Sequence, residues 1–252
     1  MKIRVGAVSY LNTRPLLYGI RHHSILSEIE LIEDYPSRIA QLLIENKIDL
    51  GLIPVAALPQ LEEFHIISDY CIGAVGPVTS VCIFSEVPME DIKKVYLDYQ
   101  SKTSVSLAKI LLRDYWKKEV VFVQAHTDDF RKLVTGDSAA VIIGDRALEQ
   151  GKSSRYAYDL SEAWKKHTGL PFVFAAWVAN KKLPEQFNAS FNEANAYGLQ
   201  HLDAVIKETH TRDFDLKTYY TNHISYYLDE KKKEGMTRFL ELLKTLKPVA
   251  SF

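Results

Sequence analysis

Ile3-Arg4-Val5-Gly6-Ala7-Val8-Ser9-Tyr10-Leu11-Asn12-Thr13-Arg14-Pro15-Leu16 carries a strand, a polar turn and a helix start in succession. Apart from Arg4, the run from Ile3 to Val8 is apolar and reads as a short buried strand. Pro15 is preorganised for the first turn of a helix that continues through Leu16, Leu17 and Ile20. Between them stand Ser9, Tyr10, Asn12 and Thr13, hydrogen-bonding groups at the carboxyl end of a strand. An α/β sheet presents its ligand crevice at such ends. Ser, Asn and Thr are equally the residues that cap helices without any ligand.

The same order of strand, polar or glycine turn and helix returns downstream. It appears at Ile48-Asp49-Leu50-Gly51-Leu52-Ile53-Pro54, at Val95-Tyr96-Leu97-Asp98 with Ser101-Lys102-Thr103-Ser104, and at Ala140-Val141-Ile142-Ile143-Gly144-Asp145. Up to about Ser80 the pattern predicts strands 3–8, 28–34 and 48–53 alternating with helices 15–22, 36–46 and 55–59, a mostly parallel sheet. Residues 65–84, broken by Gly73, Gly76 and Pro77, read as one or two extended strands leaving that lobe. A second unit replays the order: strands 93–98, 119–123 and 139–143, with helices 103–116, 127–135 and 145–149. The polar stretch 151–158 follows, then an apolar aromatic run at 169–179 suited to a strand passing between lobes. The remainder from Pro184 to Leu246 reads as helical.

The fold expected is therefore α/β and two-lobed. Residues 1–80 and 177–252 form lobe I with the carboxy-terminal helices, and 81–176 form lobe II. With a cleft between lobes and two hinge crossovers, near 77–84 and 171–179, this resembles a type 2 periplasmic-binding-protein-like architecture. Hinge closure could dehydrate a small ligand and surround it with groups from both sides.

Composition narrows the function classes. The 252 residues are 47% hydrophobic and 25% charged with a formal net charge of -1, which leaves no basic footprint for nucleic acid. Nothing approaches the about 18 uninterrupted apolar residues of a spanning helix. The start Met1-Lys2-Ile3-Arg4 runs straight into a strand without an apolar leader, so a cytoplasmic location is expected. Cys71 and Cys82 are too few for a disulfide framework and wrongly spaced for a CxxC pair, and read as buried thiols. The histidines show no HExxH or other ligand spacing, and His22-His23 reads as a solvated helix end. No metal is expected, and without a P-loop or GxGxxG no nucleotide cofactor either.

The candidate site residues follow from position. Ser9, Tyr10 and Asn12 offer hydroxyl and amide groups, and Arg14 could clamp a carboxylate. Asp49 and Pro54 read as turn or cap residues. Ser80, in Gly76-Pro77-Val78-Thr79-Ser80-Val81, is a contact or proton relay; it lacks a GxSxG elbow, which disfavours a hydrolase nucleophile. Ser101, Thr103 and Ser104 precede a helix whose amino terminus attracts anions, while simple capping would use only one of these hydroxyls. Gly144 permits close backbone approach, and Asp145 caps the next helix. Glu230-Lys231-Lys232-Lys233-Glu234 reads as an exposed helical face.

The quoted motifs at 9–16, 49–54 and 76–81, with Thr168-Gly169-Leu170-Pro171-Phe172-Val173-Phe174-Ala175, together resemble the chorismate dehydratases of the futalosine route to menaquinone. The likeness runs from Ser9 to Trp177 and rests on the order and spacing of all four motifs. It implies a hydro-lyase that eliminates water from chorismate to give 3-[(1-carboxyvinyl)oxy]benzoate, without a cofactor. It also implies Asn12 and Ser80 as the residues of the chemistry. A neutral amide is very weakly basic, so the substrate's own enolpyruvyl carboxylate is expected to take the ring proton. The other readings are a non-catalytic cytoplasmic binding module for a small carboxylate, and the sister 1,4-dihydroxy-6-naphthoate synthase, similar in fold.

Overall fold

The computed structural model describes residues 2–209, 211 and 214–246. The chain divides into two compact units: residues 1–74 with 173–230, and 75–172 with 231–252. In chain order the first unit holds β1 (Ile3–Val8), α1 (Arg14–His22), β2 (Ile29–Asp34), α2 (Pro36–Ile44), β3 (Leu50–Pro54) and β4 (His65–Ala74). The second holds β5 (Val81–Ser85), β6 (Lys94–Leu97), α3 (Thr103–Asp114), β7 (Val121–Gln124), β8 (Ser138–Ile143), α4 (Asp145–Gln150), β9 (Tyr156–Asp159) and α5 (Leu160–Thr168). β10 (Phe172–Ala179) returns the chain to the first unit for α6 (Glu185–Gln200), α7 (Leu202–Glu208), α8 (Leu216–Thr218) and β11 (Ser225–Tyr227). The last helix, α9 (Glu230–Leu243), falls almost wholly in the second unit.

The first unit's sheet has the order β11-β4-β10-β3-β1-β2. Strands β2, β1 and β3 run parallel, and β10 joins β3 antiparallel, with Ala175 opposite Pro54. The second sheet, β7-β6-β8-β5-β9, repeats the plan: β7, β6 and β8 are parallel, and β5 joins β8 antiparallel. In both, a first strand sits between its two parallel partners, and the strand that has just arrived from the other unit closes the set. The replay inferred from element order is thus a repeat of topology. Each sheet is mixed, because an arriving strand enters against the direction of the third.

Close packing explains three glycines in the first unit. A Cβ on Gly6 would stand 2.6 Å from Ile48 Cδ1 and 2.9 Å from Ile39 Cγ2, so a side chain at residue 6 would displace the isoleucines that pack on β1. α1 and α6 approach as closely: a Cβ on Gly19 would meet Ala194 O at 1.9 Å, and one on Gly198 would meet Pro15 O at 1.8 Å. In the second unit, Cys82, Phe84, Phe130, Ala140 and Ile142 form a buried cluster under the 3-10 turn Asp128–Leu133, where a longer α-helix was expected.

The segment 65–84 makes two strands as it leaves the first unit, β4 in the first unit and β5 in the second. Several other expectations change. β9 begins inside the polar stretch 151–158, and α5 occupies 160–168, a segment given no element. β9 is a half-exposed edge strand, so its Tyr156-Ala157-Tyr158 shows no buried run. The tail after Pro184 is not all helix, since β11 pairs with β4. Nor do all carboxy-terminal helices join the first unit: a Cβ on Gly235 of α9 would meet Pro171 O at 2.2 Å, and Phe239 packs edge-on to Trp164 and Phe172. The chain therefore passes between units three times, after Ala74, at Val173 and after Glu230. Within the run 230–234 Lys232 is buried, so that face is not uniformly solvated.

Candidate functional site

In the first unit, β1 runs into the 3-10 turn Leu11–Thr13 and then α1. Thr13 N donates to Tyr10 O at 3.0 Å and closes the turn. None of the polar side chains caps α1. Thr13, at the N-cap position and fully buried, gives its hydroxyl to Asn12 Oδ1 at 3.0 Å. With that oxygen engaged, the Asn12 amide presents its NH2. The Asn12 carbonyl accepts from the Tyr226 hydroxyl at 2.8 Å. Burial drives the Tyr226 phenol well above its ordinary range, which keeps it a donor. Tyr226 stands with buried Tyr219 and Tyr220 of the π-helical turn Tyr219–His223, an element that recurs at functional sites. Arg14 Nε is buried without a hydrogen-bond partner, as are Arg131 Nε and Arg146 Nε of the second unit. Tyr10 is half-buried and Ser9 exposed.

Asp49 stands away from this group. It precedes β3 beside the beginning of β1, where it accepts from Arg4 N, Nε and Nη2 at 3.0 Å each and from Lys181 Nζ at 2.6 Å. Its role is structural, and the Arg4 bonds hold its carboxyl far below the ordinary range.

In the second unit, the carboxyl ends of β6 and β8 and the start of β5 gather the remaining residues. Ser80 is fully buried, and its carbonyl accepts from Gly144 N at 2.8 Å. Gly144 has φ +64, a conformation that favours glycine. It, and not Asp145, is the N-cap of α4; Asp145 is the first helical residue. In the first turn of α3, whose N-cap position is Lys102, Ser101 Oγ accepts from Ser104 N at 3.0 Å. Thr103 and Ser104 are buried beside it. Ser80, Ser101, Thr103, Ser104 and Gly144 thus share one end of the second sheet.

Sequence reasoning missed the pair that ties this end together. Asp98, wholly buried, accepts from Gln100 N at 3.0 Å and Ile143 N at 3.3 Å, and receives Arg146 Nη2 at 3.0 and 2.8 Å on its two oxygens. Burial pushes the Asp98 carboxyl up against the pull of the guanidinium. Arg146 also reaches Asp128 at 2.6 Å. The available signal was an Asp just beyond a buried strand. Tyr226 had no signal, because its partner lies 214 residues away. Among the described residues no group of His, Cys, Asp or Glu could hold a metal ion, and no helix is long and apolar enough to cross a membrane.

A family model described as menaquinone biosynthesis matches residues 3–245. The chain is 28% identical over 255 residues to a Campylobacter jejuni protein, covering 96% of this chain and 97% of that one. It is 25% identical over 269 residues to a Thermus thermophilus protein, covering 95% and 94%. Both relatives are named chorismate dehydratase. Among solved structures, an Archaeoglobus fulgidus protein superposes with a TM-score of 0.76 at 14% identity, covering 97% of each chain. A Candida albicans gene product described as exhibiting the generic periplasmic binding protein structural fold gives 0.65 at 14% identity, covering 98% of this chain and 92% of that one. Such low identities speak to the fold alone, and the fold is of the periplasmic-binding-protein type.

Proposed function

This chain belongs to the menaquinone biosynthesis family, and from that premise we propose that it is a chorismate dehydratase, a hydro-lyase converting chorismate to 3-[(1-carboxyvinyl)oxy]benzoate. The observation that carries the reading is its nearly full-length similarity to two relatives of that name. The futalosine-route setting and a cytoplasmic location belong to the same proposal.

In the reaction the C3–H bond of the ring breaks, its electron pair completes the aromatic ring, and the C4 hydroxyl leaves as water with a proton. Aromatisation supplies the driving force. The protein has to orient the ring, place a proton acceptor and help the hydroxide depart. The first unit's part is given to Asn12, whose NH2 donates to the ring substituents or the departing oxygen. A neutral amide is too weak a base to take the C3 proton, so that proton goes to the substrate's own enolpyruvyl carboxylate. Ser80 of the second unit fixes this geometry, and the neutral donors of Ser101, Thr103 and Ser104 at the start of α3 suit a carboxylate. Ser9, Tyr10, Arg14, Gly144 and Asp145 are assigned to substrate contacts.

The test is direct. Purified protein incubated with chorismate is expected to yield a benzoate-type ultraviolet spectrum and a product lighter by one water. An unchanged spectrum on binding identifies a non-catalytic module, and turnover only of a cyclised futalosine derivative identifies the sister synthase. Asn12→Ala and Ser80→Ala should each lower kcat by about tenfold or more, as expected for groups that act in the transition state. Near-wild-type kcat in both overturns the residue assignment.

A further inference from the structure

Ser80 is presented by an unusual piece of backbone. Its N–H donates to Val78 O at 2.7 Å across Thr79, whose φ is +61. A three-residue turn of this hand is rare and strained, and a β-branched residue in it is a conformational outlier. Strain of this kind costs about 1–3 kcal/mol and persists only where neighbouring structure over-determines the backbone.

The element that does so is a single carboxylate. Asp159 lies opposite Cys82 in the β5–β9 register. Its Oδ2 accepts from Val78 N at 2.8 Å and Thr79 N at 2.6 Å, while its Oδ1 accepts from Ser161 N at 2.9 Å and Glu162 N at 3.0 Å. One oxygen thus caps α5 and the other grips both amides of the strained turn. Bonds to an ionised acceptor are roughly twice as strong as neutral ones, which suits them to holding an unfavourable φ. On the far side, the Ser80 carbonyl is fixed by Gly144 N.

We propose that Asp159 is a positioning residue for Ser80, its carboxylate holding the Val78–Ser80 turn in the conformation that sets where the serine side chain stands. The inference rests on the role given to Ser80 above. It makes Asp159→Asn an informative substitution. Asn is as good an N-cap as Asp, so α5 keeps its start. The amide NH2 then faces the Val78 and Thr79 donors, which lose their acceptor, and the turn is released.

The experiment is a double-mutant cycle on chorismate turnover, with circular dichroism to verify folding. Asp159→Asn should lower kcat about tenfold or more with KM changed by less than about threefold, and should cost less than about twofold when added to Ser80→Ala. An unchanged kcat, or an equal loss in both backgrounds, overturns the inference while leaving the activity standing. Wild-type kcat in Ser80→Ala alone removes the reading beneath it as well. Should Asp159→Asn not fold, Thr79→Pro removes one of the gripped donors and forces φ negative, and the same two patterns decide.

Discussion

Asp49 and Asp98 both accept hydrogen bonds from arginine, and their surroundings push them in opposite directions. Asp49 has Arg4 and Lys181 within reach of solvent, and the guanidinium bonds lower its carboxyl from 3.8. A group lowered by folding stabilises above its unfolded pKa and loses that share as pH falls toward the folded value. Because solvent screens its partners, the share is about 1 kcal/mol. Urea denaturation should therefore show Asp49→Asn less stable by that amount at neutral pH, with the deficit closing in acid. Asp98 is raised because burial outweighs Arg146. Arg146→Met would leave that carboxylate buried and uncompensated, a loss of about 3–5 kcal/mol. Its deficit should also narrow in acid, here because Asp98 takes up a proton in the folded state.

Among elements, α1 and α6 meet backbone to backbone at Gly19 and Gly198, just beyond the turn that carries Asn12. Gly198→Ala would force the helices apart at Pro15, costing about 1–3 kcal/mol. Thermal unfolding should record the loss, and turnover should fall with it because the Asn12 turn moves with α1. How far such elements could be read from sequence depends on the range of the forces that make them. The ends of β1, β6 and β8 were legible, since apolar period, Pro15 and the polar turns are all local signals. α5 was legible in principle: Asp159 with Glu162 is a capping pattern, and Gly169, at φ +78, is a helix stop. The second task of Asp159 was not, because Val78 and Thr79 lie 81 and 80 residues away. The same holds for Tyr226 on Asn12, and for Arg146 on Asp98, which are 48 residues apart.

At the scale of the whole molecule, the units are assembled from discontinuous chain. β10 pairs with β3 in the first, and α9 brings Phe239 onto Trp164 and Phe172 in the second. Phe239→Ala should cost about 3–5 kcal/mol of core packing. Amide exchange should report the loss in residues 160–172, while β1, β2 and β3 keep their protection. The third passage of the chain, after Glu230, also bears on biosynthesis. A polypeptide emerging from the ribosome amino end first has its second sheet complete at β9, but while residues 173–246 are still being translated the first sheet lacks β10 and β11 and the second unit lacks α9. Both halves wait for late-arriving chain, so a premature stop downstream of every residue assigned to chemistry would still release an unfinished protein.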